Sequence, residues 1–231
     1  MQVHNQMPER VLIFDMDGVL VDVTDSYRQT IAQTVELFTG IEVSNTEIQA
    51  FKNRGNSNND WDLTFEIIHD RGGTAPKEEI IEAFQKIYLG TNYDGLIARE
   101  RWLPQNGLLE KLRERFRFAM FTGRERWEAS FTLSKFVPGI PFDPIVGMED
   151  VKQEKPHPEG LLKILKELQP EEAFYVGDAT DDCRAALAAG VPFIGIVSEL
   201  NPLRAELRAL FQREGAREVI ADINELERVL P

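Results

Sequence analysis

The chain has 231 residues, of which 39 are acidic and 26 basic, so its formal net charge is −13. This negative charge opposes non-specific binding to nucleic acids or anionic membranes, and the single cysteine, Cys183, excludes an intrachain disulfide. No apolar run reaches membrane-spanning length and the first ten residues lack the apolar core of a signal peptide. We therefore expect a cytoplasmic protein.

The first predicted element is a strand at residues 11–14, whose sequence is VLIF. Four consecutive apolar residues, without the alternation of a half-exposed strand, favour a central parallel strand buried on both faces. Asp15, Asp17 and Gly18 follow it. Two carboxylates at the end of a buried strand are costly because each must be desolvated and they repel each other. Mg²⁺, which prefers oxygen ligands, would offset that cost, although Asp and Gly are also common turn residues.

Residues 23–100 show the pattern of helices and loops only. A first helix ends at Gly40, Ser44 begins a second, a third surrounds residues 61–68, and Pro76 begins a fourth. A polar loop separates the second helix from the third. We expect this segment to form an all-helical cap.

From about residue 103, predicted strands and helices alternate. Apolar runs predict strands at 116–121, 144–147, 173–176 and 192–197, and helices are expected at 107–115, 125–136, 158–168, 181–189, 203–211 and 223–230. Such alternation predicts a parallel sheet with right-handed crossovers and helices on both faces. The predicted fold class is therefore α/β, a Rossmann-like parallel sheet. We expect residues 1–22 and 103–231 to form the core domain and residues 23–102 an inserted helical cap domain.

Polar residues follow three of the predicted strands: Asp15 with Asp17, then Thr122, then Asp178. In an open parallel sheet, ligand sites lie beyond the carboxyl ends of the strands. Lys155, in a loop stiffened by two prolines, offers a cation near the same edge. The shared polar endings predict one functional site.

Four motifs at these positions resemble those of the haloacid dehalogenase superfamily, in the branch with a helical cap inserted after the first motif. They are DMDGV at 15–19, FTGR at 121–124, KPHP at 155–158 and GDATDD at 177–182, in that order. The resemblance spans nearly the whole chain and is to members such as phosphoglycolate phosphatases and β-phosphoglucomutases. One departure is Ala179, where related chains usually carry Ser or Thr, so a hydrogen bond that supports the metal site is missing or replaced.

The resemblance implies that Asp15 is a nucleophile that forms an aspartyl-phosphate. It implies that Asp17 protonates the leaving oxygen and then deprotonates the attacking water. Asp15, the Asp17 carbonyl and Asp178 would hold Mg²⁺, with Asp182 as a further ligand or a supporting residue. A simple alternative for Asp182 is a helix N-terminal acid that interacts with the macrodipole.

The resemblance also implies that Thr122, Lys155 and the backbone at Gly123 contact the phosphoryl oxygens, where charge must be stabilised during transfer. The alternatives are that Thr122 is only a strand-end hydroxyl and that Lys155 is a solvated loop cation. Among dehalogenating members the acid at position 17 is absent, so Asp17 excludes that chemistry here.

Substrate specificity is expected in the cap. Arg28 lies near the start of the first cap helix, and Lys52, Asn58 and Asn59 lie in or beside the polar loop, although polar loops are also ordinary solvated surface. Arg124, directly after Thr122 and Gly123, is a further candidate for substrate binding.

The resulting hypothesis is a Mg²⁺-dependent phosphatase that acts on a small phosphorylated metabolite. The alternatives are a sugar phosphomutase of the β-phosphoglucomutase type and a non-catalytic phosphometabolite-binding protein. We expect neither nucleic-acid nor membrane partners, and a monomer or homodimer.

Overall fold

The computed structural model describes residues 10–231, so residues 1–9 of the expected core segment lie outside the described residues. The strands are β1 (Arg10–Phe14), β2 (Val21–Asp22), β3 (Arg101–Trp102), β4 (Arg117–Phe121), β5 (Ile145–Val146), β6 (Glu172–Gly177), β7 (Phe193–Ile196) and β8 (Glu218–Ile220). The α-helices are α1 (Tyr27–Thr39), α2 (Asn45–Arg54), α3 (Asp60–Asp70), α4 (Lys77–Leu89), α5 (Leu108–Arg113), α6 (Arg126–Phe136), α7 (Glu159–Leu168), α8 (Thr180–Ala189), α9 (Arg204–Glu214) and α10 (Leu226–Val229). Short 3₁₀ turns occupy Leu96–Arg99, Met148–Asp150 and Ile223–Glu225.

Six strands form one parallel sheet in the order β5-β4-β1-β6-β7-β8. The β1 strand lies in the middle, and Phe14 at its end faces Met120 on one neighbour and Val176 on the other. The chain runs from β1 to β4 and β5 on one side and then crosses over to β6 on the other side of β1, so the point where the strand order reverses lies beside β1. The predicted parallel sheet and its central strand are confirmed.

The apolar run of β1 is continuous because both faces of the sheet are covered. Leu12 and Phe14 belong to one hydrophobic core and Val11 and Ile13 to another, and all four are at most 2% exposed. Helices pack on each side, as a doubly covered parallel sheet requires. This packing fixes the direction in which the chain leaves β1.

Helices α1 to α4 pack around a hydrophobic core of their own, with Ile31, Phe84 and Tyr88 among its buried members. The α1 helix ends at Gly40, which has a φ of 69°, a left-handed conformation that glycine adopts without steric cost. Ser44 caps α2 in a capping box with Glu47. The four predicted helices are confirmed.

A two-stranded antiparallel ribbon of β2 and β3, in which Val21 faces Trp102, connects these helices to the sheet. Two-residue strands leave no periodic signal, so the sequence did not predict them. We propose that this ribbon marks the base of the cap, close to the expected limits of 23 and 102.

The C-terminal region differs from prediction in two details. Strand β8 extends the sheet beside β7, although the exposed Glu218 at its start weakened its apolar pattern. The expected final helix at 223–230 is a 3₁₀ turn followed by the four-residue α10. Across residues 10–231, every helix is too short or too polar to cross a membrane.

Candidate active site

Asp15 stands at the carboxyl end of β1, where its backbone N–H donates to the carbonyl of Val176 at 2.9 Å. It is 6% exposed, and its Oδ1 accepts a hydrogen bond from Lys155 Nζ at 3.0 Å. Burial raises the pKa of Asp15 well above its ordinary value, the Lys155 ammonium lowers it, and the nearby carboxylates raise it again. The Asp15 carboxyl group at the end of the central strand is therefore stabilised by a cation and repelled by the neighbouring carboxylates.

Lys155 is buried at the centre of this edge of the sheet, which excludes the solvated-loop alternative. Its Nζ lies 2.7 Å from Asp182 Oδ1, 3.2 Å from the Tyr175 hydroxyl and 3.4 Å from the carbonyl of Phe121. Burial lowers the pKa of Lys155, but the carboxylates of Asp15 and Asp182 raise it more, so the ammonium stays charged. The sequence did not indicate the part played by the Tyr175 hydroxyl.

Three carboxyl groups meet at this point. One oxygen each from Asp15, Asp178 and Asp182 lies within 4.8 Å of the others. Burial and then the charge of Asp182 raise the pKa of Asp178 to about 7. Hard oxygen donors in this arrangement fit a small divalent cation, which would relieve the repulsion that raises these pKa values.

Asp182 has already used both of its oxygens within the protein. Oδ1 accepts from Lys155 and the Tyr175 hydroxyl, while Oδ2 accepts from the backbone amides of Asp178 and Ala179 at 3.2 and 3.0 Å. It therefore shapes the loop that carries Asp178. This setting favours the supporting role over direct ligation.

Position 18 requires glycine because the backbone there lies very close to the side chain of Asp178. Gly18 has a φ of 70°, and a Cβ at this position would collide with the carboxylate of Asp178. A glycine here thus lets the loop after β1 approach the end of β6.

Asp17 is bound by a guanidinium. Arg124 Nε lies 2.9 Å and Nη2 2.5 Å from Asp17 Oδ1, and Nη2 also lies 2.6 Å from Glu100 Oε1. Its remaining nitrogen, Nη1, contacts Thr132 Oγ1 at 3.1 Å. These contacts engage each guanidinium nitrogen, and the Arg124 side chain is only 1% exposed, so the guanidinium is held against Asp17. Arg124 also lines the cavity between cap and sheet, and its expected role in substrate binding stays a prediction. The sequence did not indicate Glu100 as its partner.

Thr122 and Gly123 directly follow β4. Thr122 is buried, and its Oγ1 accepts from the backbone N–H of Arg124 at 3.2 Å. A Cβ at Gly123 would lie 3.0 Å from the carbonyl oxygen of Asn58, so the cap closes directly over this residue.

Residues 55–59, which we call the cap loop, dock onto the sheet domain. The backbone amides of Asn56 and Ser57 each donate to the carboxylate of Asp181 at 2.9 Å. The side-chain amides of Asn58 and Asn59 donate to Glu154 at 3.1 and 3.3 Å. Asn58 and Asn59 join the cap to the core in this way and also border the cavity between them, and their contact with a substrate stays a prediction.

The two cap cations differ in position. Lys52 lines the cavity between cap and sheet that contains Asp15 and Asp17, and it is paired with Asp60 at 2.7 Å. Arg28 donates to Gln49 at 2.6 Å and borders an adjoining smaller cavity, which it shares with Asp17, Lys52 and Asp178.

Between cap and sheet these residues enclose a cavity of about 60 Å³, which has room for a few water-sized groups. Asp15, Asp17, Gly123 and Lys155 line one end. Tyr27, Trp61 and Glu128 also line it.

The comparisons with known proteins agree with this architecture. Residues 12–196 match the model of the haloacid dehalogenase-like hydrolase family. The imidazoleglycerol-phosphate dehydratase of Phytophthora nicotianae is 37% identical over 201 residues, which cover 83% of this chain but only 44% of that protein. Phosphoglycolate phosphatase 1 of Pseudomonas aeruginosa is 28% identical over 197 residues, covering 79% of this chain and 67% of the relative. This chain therefore spans less than half the length of the Phytophthora relative.

Among solved structures, a haloacid dehalogenase-like hydrolase from Bacteroides fragilis has a TM-score of 0.74 at 25% identity. The similarity covers 94% of this chain and 98% of that one. Another structure, of a phosphoglycolate phosphatase from Lactobacillus plantarum, has a TM-score of 0.70 at 18% identity, covers 97% of this chain and 100% of that one, and supports the fold alone.

Proposed function

Because the chain belongs to the haloacid dehalogenase-like hydrolase family, we propose that it is a Mg²⁺-dependent phosphatase acting on a small phosphate monoester through an aspartyl-phosphate. The observation that carries the proposal is the environment of Asp15. Its carboxylate directly follows the central strand, is held by the buried ammonium of Lys155, lies beside Asp178 and lines the cavity between cap and sheet. A carboxylate with a purely structural role would need the Lys155 cation, but it would need neither the neighbouring carboxylate of Asp178 nor a cavity beside it.

In the first step, a carboxylate oxygen of Asp15 attacks phosphorus and the bond from phosphorus to the ester oxygen breaks. The leaving oxygen takes a proton from Asp17, which the bidentate contact with Arg124 holds in one orientation. Lys155, Thr122 and the backbone N–H of Gly123 would bind the phosphoryl oxygens, where charge is greatest during transfer.

In the second step, water attacks the phosphorus of the aspartyl-phosphate and gives its proton to Asp17. The bond between the Asp15 oxygen and phosphorus breaks, which releases inorganic phosphate and restores the carboxylate. The cap loop, docked through Asp181 and Glu154, would exclude other water from the cavity during both steps.

Asp15, the carbonyl of Asp17 and Asp178 would hold the Mg²⁺, and Asp182 would fix the loop that carries Asp178. The raised pKa of Asp178 supports this assignment, because a carboxylate destabilised by burial and by Asp182 gains from a divalent partner. When bound, the ion would supply positive charge for the phosphoryl oxygens.

The test is phosphate release from a panel of phosphomonoesters, measured with chelator and then with added Mg²⁺. We expect release with Mg²⁺ and none in chelator. An isomerised ester with little free phosphate would indicate a phosphomutase instead. Binding of esters without turnover of any of them would indicate a non-catalytic protein and overturn the proposal.

A further inference from the structure

Glu128, in the first turn of α6, is a buried carboxyl group that the proposed reaction does not use. It is 2% exposed and lines the main cavity together with Asp15 and Asp17. Its Oε2 accepts a hydrogen bond from the Tyr27 hydroxyl at 3.1 Å. Its Oε1 is buried, and no donor within residues 10–231 reaches it. Leaving a buried acceptor without a donor costs free energy, so a donor brought by a ligand in this cavity would stabilise the Glu128 carboxylate.

The cations that line the same cavity already have carboxylate partners. Lys155 is paired with Asp15 and Asp182, Lys52 is paired with Asp60, and Arg124 with Asp17 and Glu100. Seven of the lining residues are acidic and three are basic. A divalent cation would compensate the acids around Asp15, but Glu128 lies outside the cluster of three carboxylates that fits such an ion. The lining thus carries net negative charge, which disfavours an anionic leaving group in this cavity.

Trp61 also lines the cavity, and aromatic faces attract organic cations. We infer that the substrate is a phosphate monoester whose alcohol carries a cationic nitrogen, which donates to Glu128. This inference rests on the proposed phosphatase function and assigns the leaving group for that same site. The small cavity favours a short amino alcohol.

Arg28 would favour the opposite kind of substrate, one with an anionic leaving group. It borders the adjoining cavity beside Asp178 and donates to Gln49 through Nη2, while its buried Nη1 has no acceptor within residues 10–231. If a leaving group extended in that direction, Arg28 would bind a carboxylate such as that of phosphoglycolate. A leaving group that extends toward Glu128 should be cationic, whereas one that extends toward Arg28 should be anionic. Substrates with oppositely charged leaving groups can therefore test the inference.

The experiment compares kcat/KM for three short esters, 2-aminoethyl phosphate, 2-hydroxyethyl phosphate and 2-phosphoglycolate, whose alcohols carry an ammonium, a hydroxyl and a carboxylate group. An aryl phosphate serves as a substrate without any of these groups. For the natural sequence we expect the ammonium ester to be best and the carboxylate ester to be worst. Glu128→Gln should lower kcat/KM for the ammonium ester by about tenfold to a hundredfold. Its kcat/KM for the hydroxyl ester and the aryl phosphate should change by less than about threefold, because these make no charge-assisted bond to Glu128.

The matched control is Glu125→Gln, which makes the same charge change three residues earlier, where the carboxylate accepts from Trp127 Nε1. It should leave the order of the three esters unchanged. Retained turnover of the aryl phosphate shows that Glu128→Gln is folded. Tyr27→Phe, which removes the hydroxyl that holds Glu128, is a second variant and should also weaken the preference for the ammonium ester.

A preference of the natural sequence for the carboxylate ester would overturn the inference, as would an unchanged order of esters in Glu128→Gln. If the aryl phosphate is hydrolysed with Mg²⁺ while either result is found, the leaving-group assignment fails and the phosphatase function stands. If no ester is hydrolysed, both fail.

Discussion

Without metal, the protein should lose stability as the pH rises from 5 to 8. Burial, followed by the charge of Asp182, raises the pKa of Asp178 to about 7, and burial also raises the pKa of Glu128 to about 7. In the unfolded chain both carboxyl groups return to ordinary values near 4. A folded-state pKa above the unfolded one gives stability that is fully present below pH 4 and is lost as the pH rises through 7.

The size of the effect follows from Asp178. A pKa difference of about three corresponds to about 4 kcal/mol for a carboxyl group wholly shielded from water. Asp178 is only half-buried, so solvent screening reduces its contribution to about 2 kcal/mol. For a chain of this length that corresponds to a fall in Tm of about 4–8 °C.

The assay is thermal melting of chelated protein between pH 5 and pH 8. Asp178→Asn should reduce the fall without abolishing it, since Glu128 and Asp15 still have raised pKa values, while Asp70→Asn, at an exposed position, should leave the fall unchanged. Added Mg²⁺ should raise the Tm more at pH 8 than at pH 5, because metal and protons compete for the same carboxylates. A Tm that rises steadily with pH in chelator, or a fall of equal size in Asp178→Asn, would refute this reasoning.

Four further outcomes are expected. Asp15→Asn should remain folded by circular dichroism but lose phosphate release by about three orders of magnitude or more; substantial turnover would rule out the covalent step. Ca²⁺ in place of Mg²⁺ should bind, as seen in melting, but support turnover poorly, because its longer and looser coordination misplaces the nucleophile; equal rates would contradict this. Asp181→Asn places an amide group against one of two backbone N–H donors, so the cap loop should exchange amide hydrogens faster and KM should rise; unchanged exchange would show that the loop docks by other contacts. Lys52→Ala leaves Asp60 without its cation, so kcat/KM should change differently from one ester to another but hardly for an aryl phosphate; equal slowing of all substrates would make this part of the cap only a lid.

The sequence was sufficient to predict which site residues lie close together when the sheet topology alone places them there. Asp15, Thr122 and Asp178 each directly follow a strand, and in a parallel sheet the carboxyl ends of the strands lie at one edge, so the convergence of these residues needs no knowledge of side-chain packing. Lys155 reaches the same place from a loop, and its motif signalled that position.

Contacts between the cap and the sheet were not predictable in the same way. Glu100 is 83 positions from Asp17 in the sequence, and only the folded ribbon brings it to Arg124. Nothing in the local pattern distinguishes an arginine that is free for a substrate from one saturated by two carboxylates. The carboxyl group of Glu128 was likewise hidden, because an acid in the first turn of a helix is ordinary on electrostatic grounds alone.

In the proposed mechanism, these contacts would give the cap a part in both catalysis and substrate recognition. Glu100, beside β3 at the base of the cap, helps to hold the guanidinium that orients Asp17. Tyr27, at the start of the first cap helix, holds Glu128 through its hydroxyl. A displacement of the cap would therefore disturb the proposed acid and the wall that faces the leaving group together. A substrate whose alcohol prevents closure would then lose rate as well as affinity, which is how remote binding contributes to kcat and not only to KM.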